Sequence, residues 1–575
     1  MLDIFIYLSI VILLALGIAV IMRVLKQPLI IGYIITGIII TFITLNGSSL
    51  NSIIKNNQII LSFSQFGVAF LLFIVGMHLN PRVIREVGFT SLIVGFIQIA
   101  ITGVGAFFIA GLLGFSNMAS FYIAFALTFS STIIITKILS DKQDLDSLYG
   151  KITVGVLILQ DLVVIGLLIF LNYFSTGGMA EVSSSNIFYA VITIIGLFFA
   201  SVCILPKITK FIAENQEILF LFAIGWCFLI ASLFDKLGFG MEIGALLAGM
   251  ALSVSPYHIE ISSKIRPLRD FFLILFFILL GLEITLDSLS KMINIALIFS
   301  GFVILIKFLT IVISLGALGY SRRTSFFSGI SLGQISEFSF ILAALGVTLG
   351  HINQEVSSLL VMVGLITIAS STYLMKFSSK LYAVLSKPLS IFERSNVRDR
   401  EKLRQNYDII LFGYNRIGFS ILQSLVRSKK KYLVVDYNPE TVKKLTKQGI
   451  RCIYGDAEDA EFLQDIKLAQ ADLVISTIPD KEVNLLLLNK IRRTNEHSVV
   501  ILTAHQIRDA FDLYEDGADY VILPHFLGGE YTAALIEHAK TSKMRYREEK
   551  RKQIESLEKR KLNGHEHPSI LRDHN

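Results

Sequence analysis

The chain has 575 residues, 53% of them hydrophobic and only 17% charged, with a formal net charge of +7 and a mean hydropathy of +0.66. So little charge cannot cover so much apolar surface in water, so lipid must solvate most of the chain. A wholly soluble enzyme or nucleic-acid-binding module is excluded. The three cysteines, Cys203, Cys227 and Cys452, lie too far apart for metal-ligand spacing or a disulfide framework, and no tightly bound metal is expected.

Thirteen apolar stretches are long enough to cross a bilayer: 3–24, 28–46, 59–79, 88–113, 118–140, 150–173, 184–207, 216–234, 238–255, 268–287, 292–319, 322–349 and 356–386. The first lacks a basic leader and an A-x-A-like cleavage site, and it is too long for a signal peptide; it reads as a retained helix. Fourteen Lys and Arg residues, from Arg23 and Lys26 to Arg322 and Arg323, fall in loops on one side, against Lys55, Lys236 and Lys291 on the other. That bias places the N-terminus outside and the C-terminal part in the cytoplasm of a multi-pass inner- or plasma-membrane protein. An odd helix count fits two six-helix units of opposite topology joined by one helix, with helix 5 matching helix 12 and helix 6 matching helix 13.

Helix 5 is interrupted by Thr128, Ser130, Ser131 and Thr132, and helix 12 by a run that includes Gln334, Ser336 and Glu337. Backbone unwinds at membrane depth only where it lines a cavity or is buried in protein. Two polar breaks at matching positions therefore point to an ion site formed by two discontinuous crossing helices. The competing reading is that these hydroxyls bond back to their own helices or hold neighbouring helices together.

In helix 6, Gln160 and Asp161 sit amid apolar residues. An ionised carboxylate at mid-membrane costs at least ~2.5–3.5 kcal/mol. A structural role rarely needs that cost, so Asp161 is read as a group that alternately holds a proton and a cation, K+ or Na+. Lys307 lies too deep in helix 11 to snorkel to either face. It is expected to pair with Asp161 in a bridge that breaks when the cation binds. Glu242, Arg266 and Asp270 read as ordinary interfacial charges.

Residues 1–386 thus form a transmembrane exchanger part, and 387–406 a charged linker. Strand–helix alternation then runs through 407–540: strands at Tyr407–Phe412, Tyr432–Val435, Arg451–Tyr454, Leu473–Ser476, Val499–Thr503 and Tyr520–Leu523 make a Rossmann-like doubly wound sheet. Gly413, Asn415, Arg416, Ile417 and Gly418 form a turn onto a helix N-terminus suited to phosphate. Asp436 and Tyr437, at the end of the second strand, would meet a ribose, with Asp456 and Thr477 at later strand ends. Asn415 replaces the middle glycine of the usual fingerprint. AMP, ATP and NAD(H) stay open as ligands, as does a fold kept only for dimer contacts. The tail, 541–575, reads as a solvated helix with a disordered end.

As a set, Lys26–Tyr33, Phe66–Phe73, Ser130–Thr132, Gln160–Asp161, Gly244–Gly249 and Gly333–Phe338 resemble the monovalent cation:proton antiporter-2 family, in particular its Kef-type potassium efflux members. The C-terminal part resembles the nucleotide-binding half of TrkA-type regulators of potassium conductance. The resemblance implies a homodimer, a core that moves against a fixed dimerisation domain, and Asp161 as the shared cation and proton carrier. With Gln160 in place of a second acid, it implies electroneutral exchange, with potassium favoured over sodium. A ligand-gated potassium channel is the rival from another class, but no repeated carbonyl-filter loop such as TVGYG is present.

Overall fold

The computed structural model describes residues 2–44, 58–78, 88–142, 144–145, 147–175, 184–213, 215–237, 240–284, 286–389, 406–414, 416–428, 430–457, 462–463, 466, 468–539 and 543–562. Asn415, linker residues 390–405, the tail end 563–575 and the loop cations Lys55, Arg82 and Arg85 lie outside the described residues. The chain divides into a helical unit of Met1–Leu145, Tyr149–Leu318 and Arg322–Phe392, and a second unit made mainly of Glu393–Asn575.

The helical unit runs through α1 (Leu2–Val24), α2 (Leu29–Thr44), α3 (Gln58–His78), α4 (Phe89–Leu112), α5 (Asn117–Thr128), α6 (Thr132–Asp141), α7 (Leu148–Ser175), α8 (Ser184–Phe199) and α9 (Leu205–Ile212). It continues through α10 (Gln216–Lys236), α11 (Met241–Leu252), α12 (His258–Leu282), α13 (Leu286–Ala317), α14 (Arg322–Ser331), α15 (Glu337–Thr348), α16 (Gln354–Lys376) and α17 (Ser378–Leu389). Eight spans among the described residues are long and apolar enough to cross a membrane. The other apolar stretches fall on α1, α2, α11, α12 and the α14–α15 pair, which are shorter or carry more charge.

Three boundaries differ most from the sequence reading. The tenth stretch, expected from 268, begins at His258 as α12. The seventh stretch carries a π-helical turn at Ala200–Ile204 before continuing as α9, and the last one ends at Lys376, with α17 following as a separate helix. Leu13, Phe108, Phe198, Leu221 and Leu305 are each more than half exposed. In water such faces would drive association; here acyl chains are their solvent.

Two packing regimes organise this unit. One group, α2, α3, α11 and α12, is locked by glycines. A Cβ on Gly37 would come within 2.8 Å of the Gly281 Cα, and one on Gly76 within 2.9 Å of the Met250 nitrogen. The helices therefore meet backbone to backbone, as small residues permit in membranes. The other group is built around the two interrupted helices, α5–α6 and α14–α15. Both breaks restart on serine: Ser131 accepts from the Ile134 N–H at 3.3 Å and Ser336 from the Phe338 N–H at 3.2 Å. Serine favours this N-cap role because its hydroxyl satisfies an N–H that the first turn leaves free.

In the second unit, six strands, β1 (Ile409–Phe412), β2 (Tyr432–Asp436), β3 (Cys452–Tyr454), β4 (Leu473–Ser476), β5 (Val499–Thr503) and β6 (Tyr520–Ile522), form one sheet in the order β3-β2-β1-β4-β5-β6. Every pairing is parallel. This is the doubly wound order, with its switch point between β1 and β4. Both faces of the sheet are covered by apolar clusters, as buried parallel strands require. The covering helices are α18 (Arg416–Arg427), α19 (Pro439–Lys447), α20 (Lys481–Thr494) and α21 (Ile507–Glu515), followed by α22 (Pro524–Ala539) and α23 (Lys543–Leu562). Most of α23 is exposed, as its charge density predicts.

Candidate functional site

The two interrupted helices touch at their breaks. Ser130 Oγ donates to the Leu332 carbonyl at 3.0 Å, and Ser339 Oγ to the Ala126 carbonyl at 2.5 Å. Each break frees carbonyls at the end of its first half-helix and N–H groups at the start of its second. The C-cap carbonyl of α5 and a carbonyl in the break beyond α14 converge on Lys307 of α13. Its Nζ donates to the Phe129 carbonyl at 2.8 Å, the Gln334 carbonyl at 2.8 Å and Ser130 Oγ at 3.1 Å.

This corrects the expected Lys307–Asp161 pair, since no ion pair joins the two among the described residues. An ammonium has three N–H donors, and the crossing consumes all three. The physical reason is electrostatic. The C-terminus of α5 carries about half a negative charge, and the freed Gln334 carbonyl adds its own dipole, so together they suit one fully buried ammonium.

Asp161 lies on α7 at the other side of the first break. Thr132, the first residue of α6, donates from Oγ1 to its carboxylate at 3.0 and 3.3 Å. Asp161 is half-buried, whereas Gln160 next to it has no exposed surface. Glu337, at the first turn of α15, is buried within electrostatic reach of Asp161. The Ser131 and Ser336 hydroxyls bond the Glu337 carboxylate, and Arg269 lies within electrostatic reach of it.

The remaining crossover residues divide by role. Thr128 Oγ1 bonds back to the Phe125 carbonyl at 2.7 Å, so its hydroxyl serves its own helix. The buried side-chain amide of Gln334 has no hydrogen-bond partner among the described residues. Asp270 pairs with Arg269, at 2.7 Å, rather than with Arg266.

Two residues at the site carry signals that the sequence reading missed. Gln98, fully buried on α4, takes Gln160 Nε2 on its Oε1 at 2.5 Å; a lone amide in a 24-residue apolar helix was its signal. Arg269 was masked by its position at the edge of an apolar run, among other charges.

In the second unit, Gly413 adopts φ +83°, the left-handed turn at the end of β1. A Cβ on Gly418 would fall on the Gly413 carbonyl, so only glycine lets α18 start there. Arg416 and Ile417 open α18. Asp436, at the end of β2, accepts the Tyr414 N–H at 2.9 Å and the Asn438 N–H at 2.8 Å. Tyr437 beside it is exposed and Asp456, after β3, is half-buried. Thr477 Oγ1 bonds the Phe412 and Gly413 carbonyls at 3.2 and 3.1 Å, tying the turn to the end of β4. Burial pushes the Tyr414 phenol up to about 12, with the nearby Arg560 cation opposing.

Residues 10–376 match the family described as sodium/hydrogen exchanger, transmembrane, and residues 409–524 match the TrkA-N domain. YbaL of Escherichia coli strain K12, designated a cation/proton antiporter, is 26% identical over 530 residues, covering 86% of this chain and 90% of its own. The glutathione-regulated potassium-efflux system protein KefC of Cronobacter sakazakii is 25% identical over 476 residues, covering 81% and 75%. The solved structure of the sodium proton antiporter MjNhaP1 from Methanocaldococcus jannaschii is 16% identical, covers 67% of this chain and 97% of that one, and gives a TM-score of 0.44.

Proposed function

The chain belongs to the sodium/hydrogen exchanger family, and from that premise we propose that it exchanges potassium for protons, one for one, across the membrane it spans. It is a multi-pass secondary antiporter of monovalent cations rather than an enzyme, with a C-terminal TrkA-N domain. The observation that carries the proposal is Asp161, a single half-buried carboxylate held by Thr132 where two broken helices meet. Desolvation there makes a bare carboxylate costly, so either a proton or a dehydrated cation must accompany it. Thr132 supplies a neutral oxygen at that point.

Gln160 beside it carries no charge, so one negative group serves both ions in turn, and exchange is electrically silent. Potassium is favoured by the similarity to the KefC potassium-efflux protein. The nucleotide turn at Gly413–Gly418, with Asp436, would take an adenine nucleotide (AMP, ATP or NAD(H)) and regulate exchange from the cytoplasm. The N-terminus lies outside, and the working unit is a homodimer.

Proton flux in vesicles, driven by K+ or Na+ gradients with the membrane potential clamped, tests the reading. Wild-type protein should move protons against a potassium gradient. Asp161→Asn should abolish this while inserting normally. Undiminished exchange in Asp161→Asn would overturn the mechanism, and sodium-only flux would overturn the choice of ion.

A further inference from the structure

Gln98 and Gln160 form a two-amide relay across the break in the first interrupted helix. Gln160 Oε1 accepts the Ser130 N–H at 2.8 Å. Gln160 Nε2 donates to Gln98 Oε1 at 2.5 Å. Gln98 Nε2 donates in turn to the Thr128 carbonyl at 3.1 Å and to Thr102 Oγ1 at 3.1 Å. The relay therefore begins on a backbone N–H and ends on a backbone C=O, two groups orphaned by the same break. Both amides are fully buried, where an unpaired polar group is expensive.

An amide both accepts and donates in this sense, whereas an ionised carboxylate can only accept. A carboxylate at position 160 would accept from both sides. Gln98 would then have to turn its NH2 toward it, setting Gln98 Oε1 against the Thr128 carbonyl, oxygen against oxygen. The relay also clamps α7, which carries Asp161, to the break from which Thr132 reaches that carboxylate.

We propose that Gln98 is a positioning residue of the exchange site, holding Gln160 as a neutral amide and keeping Asp161 in register with Thr132. This rests on Asp161 being the ion carrier, but concerns a residue on a different helix that touches neither ion. It makes the charge at position 160 a property of two helices: α4 must offer an amide for α7 to keep one.

The test uses the full chain in proteoliposomes with K+ as the probe. Gln98→Met and Gln160→Met preserve side-chain length and apolar packing while removing the relay. Each is expected to raise the potassium concentration for half-maximal exchange about tenfold, the scale of one buried hydrogen bond. The double variant is expected to be no worse than the poorer single, because the relay breaks only once. A second readout needs no transport: thermal stabilisation of the purified protein by KCl should require about tenfold more salt in Gln98→Met, on the same scale.

A Gln98→Met protein matching wild type in both readouts, or single effects that multiply in the double, would overturn the proposal. With Asp161→Asn inactive alongside, that failure is Gln98's alone. Saturable exchange surviving in Asp161→Asn would instead remove the carrier and the positioning role together.

Discussion

Replacing Lys307 with methionine tests the assignment of that lysine most directly. Its ammonium is fully buried and donates to two carbonyls and one hydroxyl. The methionine fills similar space but leaves the Phe129 and Gln334 carbonyls without their donor. A buried acceptor stripped of its partner costs about 1–3 kcal/mol, so the pair costs about 2–6 kcal/mol. Relief of the ammonium's own desolvation, several kcal/mol in a dry site, trims this toward about 2–3 kcal/mol.

Detergent-solubilised Lys307→Met should therefore lose monodispersity at a temperature about 5 °C below wild type. The decisive comparison is the same substitution in an Asp161→Asn background. If Lys307 caps the crossing, the fall in melting temperature persists there at nearly full size, because none of its three acceptors belongs to Asp161. A wild-type melting temperature for Lys307→Met, or an effect that disappears when Asp161 is neutralised, would refute the cap and restore the ion pair.

Asp436→Ala should destabilise the nucleotide unit by about 1–3 kcal/mol by orphaning the buried Tyr414 N–H, and should abolish the heat of nucleotide binding in calorimetry; unaltered binding would detach Asp436 from the ligand. Gly418→Ala should also abolish nucleotide binding, since its methyl lands on the Gly413 carbonyl, while vesicle exchange without nucleotide continues. Gly249→Val should cost about 1–3 kcal/mol in thermal unfolding by forcing α11 away from the Phe73 backbone of α3. Burial, reinforced by the Asp436 charge, pushes the Cys452 thiol up. The thiolate is therefore scarce at pH 8, and mass spectrometry should find Cys452 unalkylated by iodoacetamide in the folded protein and alkylated after denaturation.

What could be read from the sequence followed how far each residue departs from its surroundings. Asp161 and Lys307 announce themselves because a charge in an apolar span has to be explained by something. Both breaks are visible as clusters of serine, threonine and amide residues. The strands of the second unit stand out as short apolar runs between helical patterns, within a residue or two of where they lie.

Lys307's partner was misassigned for a physical reason: sequence shows that a buried ammonium needs negative charge, but not that helix ends can supply it. That charge comes from carbonyls freed in two breaks that meet at the same point, and their meeting depends on the crossing. Gln98 was overlooked because it is uncharged and sits in an unbroken helix. Its significance lies wholly in the partner amide, 62 positions along the chain.

The electrostatics of the crossing then divide the labour between its ionisable groups. The C-terminus of α5 and the Gln334 carbonyl freed in the second break are both negative, and Lys307 balances them permanently. Two helix N-termini, those of α6 and α15, present about one positive charge on the opposite side, with Asp161 bonded to the first residue of one and Glu337 in the first turn of the other. Glu337 is enclosed by Ser131 and Ser336, within reach of Arg269. Asp161 keeps a single neutral hydroxyl partner and a half-open face. Of the charges at this crossing, Asp161 alone can trade its companion without orphaning a backbone group. With Lys307 fixed and Asp161 the exchangeable carboxylate, the proposed one-for-one exchange would leave the net charge of the site the same with a proton or a monovalent cation bound.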